Sequence, residues 1–124
     1  MAQILVIEEG SAKKARLVRE LRADAYDVES AEDRAVGLAL AAANPPKAIV
    51  LVGIRPDSVG LELCSTLCKL CPDAPILVLT PSENSHARTD ILDAGATDCL
   101  SIPYSMQEFK SRLRVRFRII ASLY

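Results

Sequence analysis

The sequence predicts a doubly wound α/β domain built on a parallel sheet. Five short apolar runs alternate with helical patterns along the chain. Three of those runs, at 4–7, 48–52 and 76–80, are almost wholly apolar and rich in β-branched residues, as strands covered on both faces require. Right-handed crossovers between parallel strands then force helices onto both faces of the sheet. The length of 124 residues, half hydrophobic and a quarter charged, fits one soluble globular domain spanning 1–124. At that size roughly two-thirds of the unfolded chain's surface can be buried, so a core forms without staples. No apolar run approaches the roughly 18 residues of a membrane span. Met1 to Ile7 enters a strand pattern directly, with no signal-peptide layout. The expectation is therefore a cytoplasmic domain rather than a membrane protein, a disordered tail or a multidomain enzyme.

The elements follow in order. Strands are expected at Ile4–Ile7, Tyr26–Glu29, Ala48–Val52, Ile76–Thr80 and Asp98–Ser101. Ser11 precedes a helix carrying Ala15, Leu17, Val18 and Leu21 on its apolar side. Ser30-Ala31-Glu32-Asp33 resembles a capping box ahead of an alanine-rich helix that ends at Ala43. Asn44-Pro45-Pro46 stops that helix. Gly60 opens the third helix, with Pro72 and Pro75 in the connection after it. The fourth runs from Ser85 to Ala94, with Gly95 as its stop. Ser105-Met106-Gln107-Glu108 forms a capping box for the last helix. The segment Arg112 to Arg118 alternates like a strand, but the capping box favours a helix with Leu113, Phe117 and Ile120 on one stripe and Arg112 and Arg116 on another.

The formal charge of −1 hides an asymmetry. Residues 1–108 hold 10 basic and 16 acidic side chains, whereas 109–124 hold five basic ones (Lys110, Arg112, Arg114, Arg116, Arg118) and no acid. A basic end on an acidic body points to a polar interface or a join to another module. It is a poor case for direct nucleic-acid binding, because the body lacks a broad basic face. Cys64, Cys68 and Cys71 lie at i, i+4 and i+7 on one helix stripe. Their spacing is similar to that of some iron–sulfur sites. Small, partly buried helix side chains explain it better, with a redox role for an exposed thiol as the alternative. Adjacent helix positions do not form easy disulfides, which agrees with a reducing compartment.

In doubly wound sheets, sites form beyond the carboxyl ends of the strands. Glu8, Glu9, Val52, Gly53, Thr80 and Ile102 hold those positions. No glycine-rich phosphate loop follows the first run, so a dinucleotide site is excluded. No Ser-His-Asp or Cys-His set is present, and the single histidine, His86, falls in a polar loop as a solvated residue.

Several stretches together resemble the receiver domain of bacterial response regulators over essentially the whole chain. They are Ile4 to Glu9, Pro46 to Cys64 with Pro56 and Gly60-Leu61-Glu62-Leu63-Cys64, Pro75 to Thr80, Ala94 to Asp98, and Pro103-Tyr104. The resemblance implies a flavodoxin-like sheet of order 2-1-3-4-5. In that family an acidic pair after strand one holds Mg2+, and an Asp ending strand three accepts a phosphoryl group. A Thr or Ser after strand four senses it, and a Lys before a cis-proline pairs with it. Glu8, Glu9 and Thr80 match. The acceptor position, four residues before Pro56, falls on Val52. The Lys position falls on Ile102, and the aromatic switch position on Cys99.

Valine has no nucleophilic atom, so no acyl phosphate forms there. Without the central carboxylate, two longer Glu side chains make a poor octahedral cage for Mg2+. A Lys facing Val52 would be a buried cation without a partner, costing several kcal/mol, so isoleucine suits the site. Glu8 and Glu9 then lack a metal between them. One of them should have a raised pKa unless Arg55 or Lys13 neutralises it, or else both point to solvent. Asp57, the next acid, lies roughly 15 Å of chain beyond Val52 and is a poor substitute acceptor. The expectation is a pseudo-receiver that keeps the fold and lacks the phosphoryl chemistry, with a neutral scaffold as the plainer version. No enzyme activity, metal or cofactor is expected.

Glu108 to Arg118 resembles the last helix of the OmpR/PhoB-type subfamily, whose receivers dimerise through helix 4, strand 5 and helix 5. The resemblance pairs Arg88 with Glu108 and Asp98 with Arg112 across a two-fold axis, and places Thr97 where a third acid would stand. The alternative is a solvated helix with local i,i+4 pairs. The implied function is a phosphorylation-independent dimerisation module in two-component signalling, joined to or partnered by a winged-helix DNA-binding domain. A stand-alone protein-binding adaptor is the alternative, and a metal or redox sensor using Glu8/Glu9 or the cysteines is a third.

Overall fold

The computed structural model describes residues 3–9, 14–82 and 84–123, with 120–123 as backbone only. The elements alternate strictly: β1 (Ile4–Glu8), α1 (Ala15–Ala23), β2 (Val28–Ala31), α2 (Arg34–Ala43), β3 (Ala48–Val52), α3 (Ser58–Leu70), β4 (Ile76–Thr80), α4 (Ser85–Asp93), β5 (Asp98–Ser101) and α5 (Met106–Leu123). The five strands are parallel, in the order β2-β1-β3-β4-β5. This is the doubly wound, flavodoxin-like arrangement that the apolar runs and the family resemblance imply.

Alternation along the strands divides the core in two. Ile4, Val6, Val50, Val52, Leu77 and Leu79 pack with Leu17 and Leu21 of α1 and with Phe109 and Leu113 of α5. Leu5, Ile7, Ile49, Leu51, Ile76 and Val78 pack on the other face with Leu63, Cys64 and Leu67 of α3 and Ile91 of α4. Every residue of β3 and β4 is buried, because each strand has a neighbour on both edges and helices on both faces.

The sequence misplaces several boundaries, each for a local reason. β2 begins at Val28 rather than Tyr26. The α1 helix ends in a turn where Ala25 takes φ +71° and the Tyr26 N–H donates to the Leu21 carbonyl. Tyr26 stacks on Phe117 instead, with ring centroids 5.6 Å apart. Ser30 belongs to β2, so the capping box at 30–33 does not form. Asp33 alone caps α2, accepting the Val36 N–H at 2.9 Å. α3 opens at Ser58, not Gly60, because Asp57 caps it through the Gly60 N–H at 2.8 Å. α4 ends at Asp93, with Ala94 as its cap residue. At α5 half of the expected box forms: the Ser105 hydroxyl accepts the Glu108 N–H at 3.2 Å, while the Glu108 carboxylate turns to Arg112. The alternating segment 112–118 is helical, as expected. Ser11 and Lys13 lie outside the described residues, and so does the side chain of Ile120. No helix among the described residues is long and apolar enough to cross a membrane.

Ala25 carries a side chain in the left-handed region that glycine favours. Ala25→Gly should therefore stabilise the fold by about 1 kcal/mol, read as a higher urea midpoint at unchanged slope. An unchanged or lower midpoint would show that the turn carries no strain.

Candidate functional site

The carboxyl ends of β1, β3, β4 and β5 meet along one edge of the sheet. β3 delivers Val52 there, 2% exposed and inside the apolar cluster under α1 and α5. Ile102, after β5 and before the cis Ile102–Pro103 bond, packs partly buried against that same cluster. The structure thus sets on one apolar cluster the two hydrocarbon side chains that the family resemblance places at the acceptor and lysine positions. Backbone bonds pin the surroundings. The Glu9 N–H donates to the Val52 carbonyl at 2.9 Å, the Gly53 N–H to Leu79 at 2.7 Å, and the Ile102 N–H to Thr80 at 2.7 Å. Thr80 is fully buried, and its hydroxyl accepts the Ser82 N–H at 3.3 Å. The Ser101 hydroxyl donates to the Ser82 carbonyl at 3.1 Å, tying β5 to the loop after β4.

The two glutamates do not both point to solvent. Glu8 Oε1 accepts from the Lys14 backbone N–H at 3.3 Å and from Lys14 Nζ at 3.4 Å. Glu9 Oε1 lies 2.7 Å from Arg34 Nη2, at an angle that makes no hydrogen bond, and that buried oxygen has no other partner. Arg34 is the first residue of α2, and the order β2-β1-β3 sets it beside the end of β1. The countercharge therefore comes from Lys14 and Arg34, not from Arg55, which makes no ion pair among the described residues. Nothing in the local sequence marks Arg34, since its contact with Glu9 depends on how the sheet is wound. Lys14 carries a faint signal: it is the last residue before the helix that follows β1.

Mg2+ takes near-octahedral oxygen coordination and usually keeps one or two carboxylates plus waters. Here the end of β3 offers hydrocarbon, and each glutamate already faces a cationic side chain. These residues do not fit that ion. Among the described residues, no group of three or more His, Cys, Asp or Glu side chains is arranged to hold a metal. Asp57, the substitute acceptor the sequence offers, is committed to capping α3.

The other candidates divide by location. Cys64 and Cys71 are buried in α3 and at its end, Cys68 is half-buried, and Cys99 is buried on β5. Burial pushes the Cys64 thiol up to about 11, and it raises Cys71 and Cys99 as well. His86 is exposed in the first turn of α4, where its backbone N–H donates to Asn84 Oδ1.

Arg112 binds Asp98 through Nη1 at 2.9 and 3.1 Å and Glu108 through Nε and Nη2 at 3.1 and 2.8 Å, all within one chain. Asp98 first, then Glu108, hold the guanidinium in its charged form. Arg88 Nη2 donates to the Cys99 carbonyl at 3.3 Å, and among the described residues Arg88 makes no ion pair with Glu108. Lys110, one of the basic residues at the C-terminal end, has partners that no local pattern indicates: it binds Glu20 at 2.8 Å and Asp24 at 3.1 Å and so clamps α5 to α1. That contact holds the Glu20 carboxyl below its usual range.

The strand order and the alternation of five strands with five helices define a class by fold, the flavodoxin-like α/β domain that CheY-like receivers share. Residues 4–114 match the response regulator receiver domain family, and the chain belongs to that family. It is similar to the response regulator MprA of Mycobacterium sp. strain KMS, 40% identical over 94% of this chain and 50% of the relative. MprA of Mycobacterium avium strain 104 is 38% identical over 94% and 51%. The chain thus spans about half the length of the curated relatives it matches. A response regulator crystal structure from Burkholderia pseudomallei, with a phosphorylated aspartic acid, calcium ion and citrate, is 30% identical. It covers 90% of this chain and 65% of its own, with a TM-score of 0.77. A CheY-like receiver from Methanospirillum hungatei shares the fold at 18% identity, full coverage of both chains and a TM-score of 0.84. The chain is a receiver domain of two-component signalling related to MprA.

The shared packing of Val52 and Ile102 on one apolar cluster makes a stability prediction. Val52→Asp places a carboxylate beside two glutamates in an apolar pocket and should cost about 3 kcal/mol. Adding Ile102→Lys should recover at least about 1 kcal/mol of that, read from urea unfolding of the double-mutant cycle. Strictly additive losses would show that the two positions do not face one another.

Proposed function

We propose that this chain is a receiver that signals without a transferred phosphoryl group, and that it pairs with a second copy through α4, β5 and α5. The observation that carries this reading is Val52: the carboxyl end of β3 is a buried hydrocarbon, shared with Ile102 in one apolar cluster. Lys14 and Arg34 on the two glutamates support it, since the negative charge beside that strand end is balanced by the protein itself. Such a module has no catalytic role and works in the cytoplasm. Its partner is the winged-helix DNA-binding half of an OmpR/PhoB-type regulator, attached or separate, and it does not contact nucleic acid itself.

With no phosphoryl switch to shift a population, the α4–β5–α5 face is competent at all times. Arg88, Asp98, Glu108 and Arg112 give it charges of both signs on neighbouring elements, so a two-fold copy is complementary. One observation favours a second reading, an adaptor that docks a different protein by the same face. Arg112 already satisfies Asp98 and Glu108 within one chain and leaves no charge of theirs unpaired.

Two measurements test this. Incubation with acetyl phosphate and Mg2+ should leave the intact mass unchanged. A phosphoryl adduct that disappears in Asp57→Asn would overturn the reading. Sedimentation of the untreated protein should show a dimer, weakened at least about tenfold by Arg112→Glu, a loss of about 1.4 kcal/mol. A strict monomer at high concentration would favour the adaptor.

A further inference from the structure

A cleft of about 330 Å³ opens where the end of β1, the start of α2 and the β3–α3 loop meet. Apart from Glu9, it shares none of the sheet-edge side chains described above: Val52, Thr80 and Ile102 do not line it. Its polar groups are Glu9, Arg34, Arg55 and Asp57. Glu9 faces Arg34 at 2.7 Å, and Asp57 is engaged by the Gly60 N–H. Arg55 is exposed and, among the described residues, has neither a side-chain hydrogen bond nor an ion pair. The cleft's charged group with no polar partner among the described residues is thus a guanidinium, whose planar fork suits a carboxylate held by two hydrogen bonds.

The backbone carrying Arg55 is held in place. Gly53 sits at φ +86° with its N–H on Leu79, and a Cβ on Gly60 would overlap the Arg55 carbonyl oxygen, so loop and helix touch directly. A preorganised loop lowers the cost of ordering on binding. The wall beside Arg55 is apolar: Ile54 is buried, and Val59 is 43% exposed in the first turn of α3. Formal charges in the cleft sum to zero, two carboxylates against two guanidiniums. That disfavours a multiply charged anion and suits a monoanion with an apolar body. The volume is at the low end for ligand sites, equal to roughly ten water-sized groups.

We infer that this cleft is a binding site for a small organic monocarboxylate, with its carboxylate on Arg55 and its apolar body against Ile54 and Val59. The inference stands on the cleft alone and does not depend on how the receiver signals.

The test is a titration of the 15N-labelled full chain with sodium benzoate, sodium acetate and inorganic phosphate at constant ionic strength, followed by amide chemical shifts. Benzoate should give saturable shifts confined to Gly53, Arg55, Val59, Gly60 and their neighbours, with acetate at least about tenfold weaker. Arg55→Gln, a change at an exposed side chain, should weaken benzoate at least about tenfold with the rest of the spectrum intact. Val59→Ser should weaken benzoate severalfold and leave acetate unchanged. The inference fails if about 20 mM benzoate produces no saturable shift, far above a millimolar dissociation constant. It also fails if Arg55→Gln binds as the parent does, or if phosphate binds as tightly as benzoate.

Discussion

The constraint on which the site depends is that β3 is sealed on every side. Its five residues have strands along both edges and helices over both faces, and all five are buried hydrocarbon. A charge at the end of such a strand survives only with a countercharge or a metal beside it. Val52 removes the need for either. Ile102, packed on the same cluster, agrees with that choice, since a cation there would have no carboxylate at the end of β3 to meet. So does the arrangement of the glutamates. Two carboxylates on consecutive residues at the end of β1 still need opposite charge, and Lys14 and Arg34 provide it from the starts of α1 and α2.

The parts of the fold legible in the sequence were those where a single physical rule decides. β1, β3 and β4 are buried on both faces, so continuous apolar runs mark them. β3, β4 and β5 lie at the residues the runs indicate, and β1 extends one residue further. β2 is an edge strand buried only at its two ends, Val28 and Ala31, so its start depends on the turn before it. Tyr26 has strand propensity, but the turn at Asp24–Ala25 keeps it out of the ladder. Local rules compete at caps too: Ser30 could cap a helix or pair in β2, and the ladder with β1 decides for the strand.

The strand-end residues were legible because the winding of a parallel sheet fixes where strands end. Their partners were not. Arg34 meets Glu9 across 25 positions of sequence, and Lys110 meets Glu20 across 90, so no local pattern encodes either pair. Lys110 also changes the meaning of the basic terminus. Of the five cations that composition shows there, two are ion-paired within the chain and a third reaches a backbone carbonyl. Lys110 binds acids of α1, Arg112 binds Asp98 and Glu108, and Arg116 reaches the Thr97 carbonyl at 3.4 Å. Helix α5 is thereby clamped at two points, which places Phe109 and Leu113 in the core.

That internal pairing bears on how the proposed dimer would be held. Exchanging an exposed ion pair within a chain for one between chains is nearly neutral, because each is worth about 0–1 kcal/mol. The association energy must then come from apolar surface, as it does in protein interfaces generally. The same face carries some. Leu92 lies one turn beyond Arg88 on α4 and is 44% exposed, and Val115 lies three residues beyond Arg112 on α5 and is 39% exposed. An exposed aliphatic side chain thus lies one helical turn from each of Arg88 and Arg112, and a partner covering both would bury apolar surface beside charge. In that arrangement the charges select the partner and its register, while the aliphatic pair sets the affinity. The dimer and adaptor readings therefore differ in which surface covers Leu92 and Val115, not in whether Arg112 finds a carboxylate.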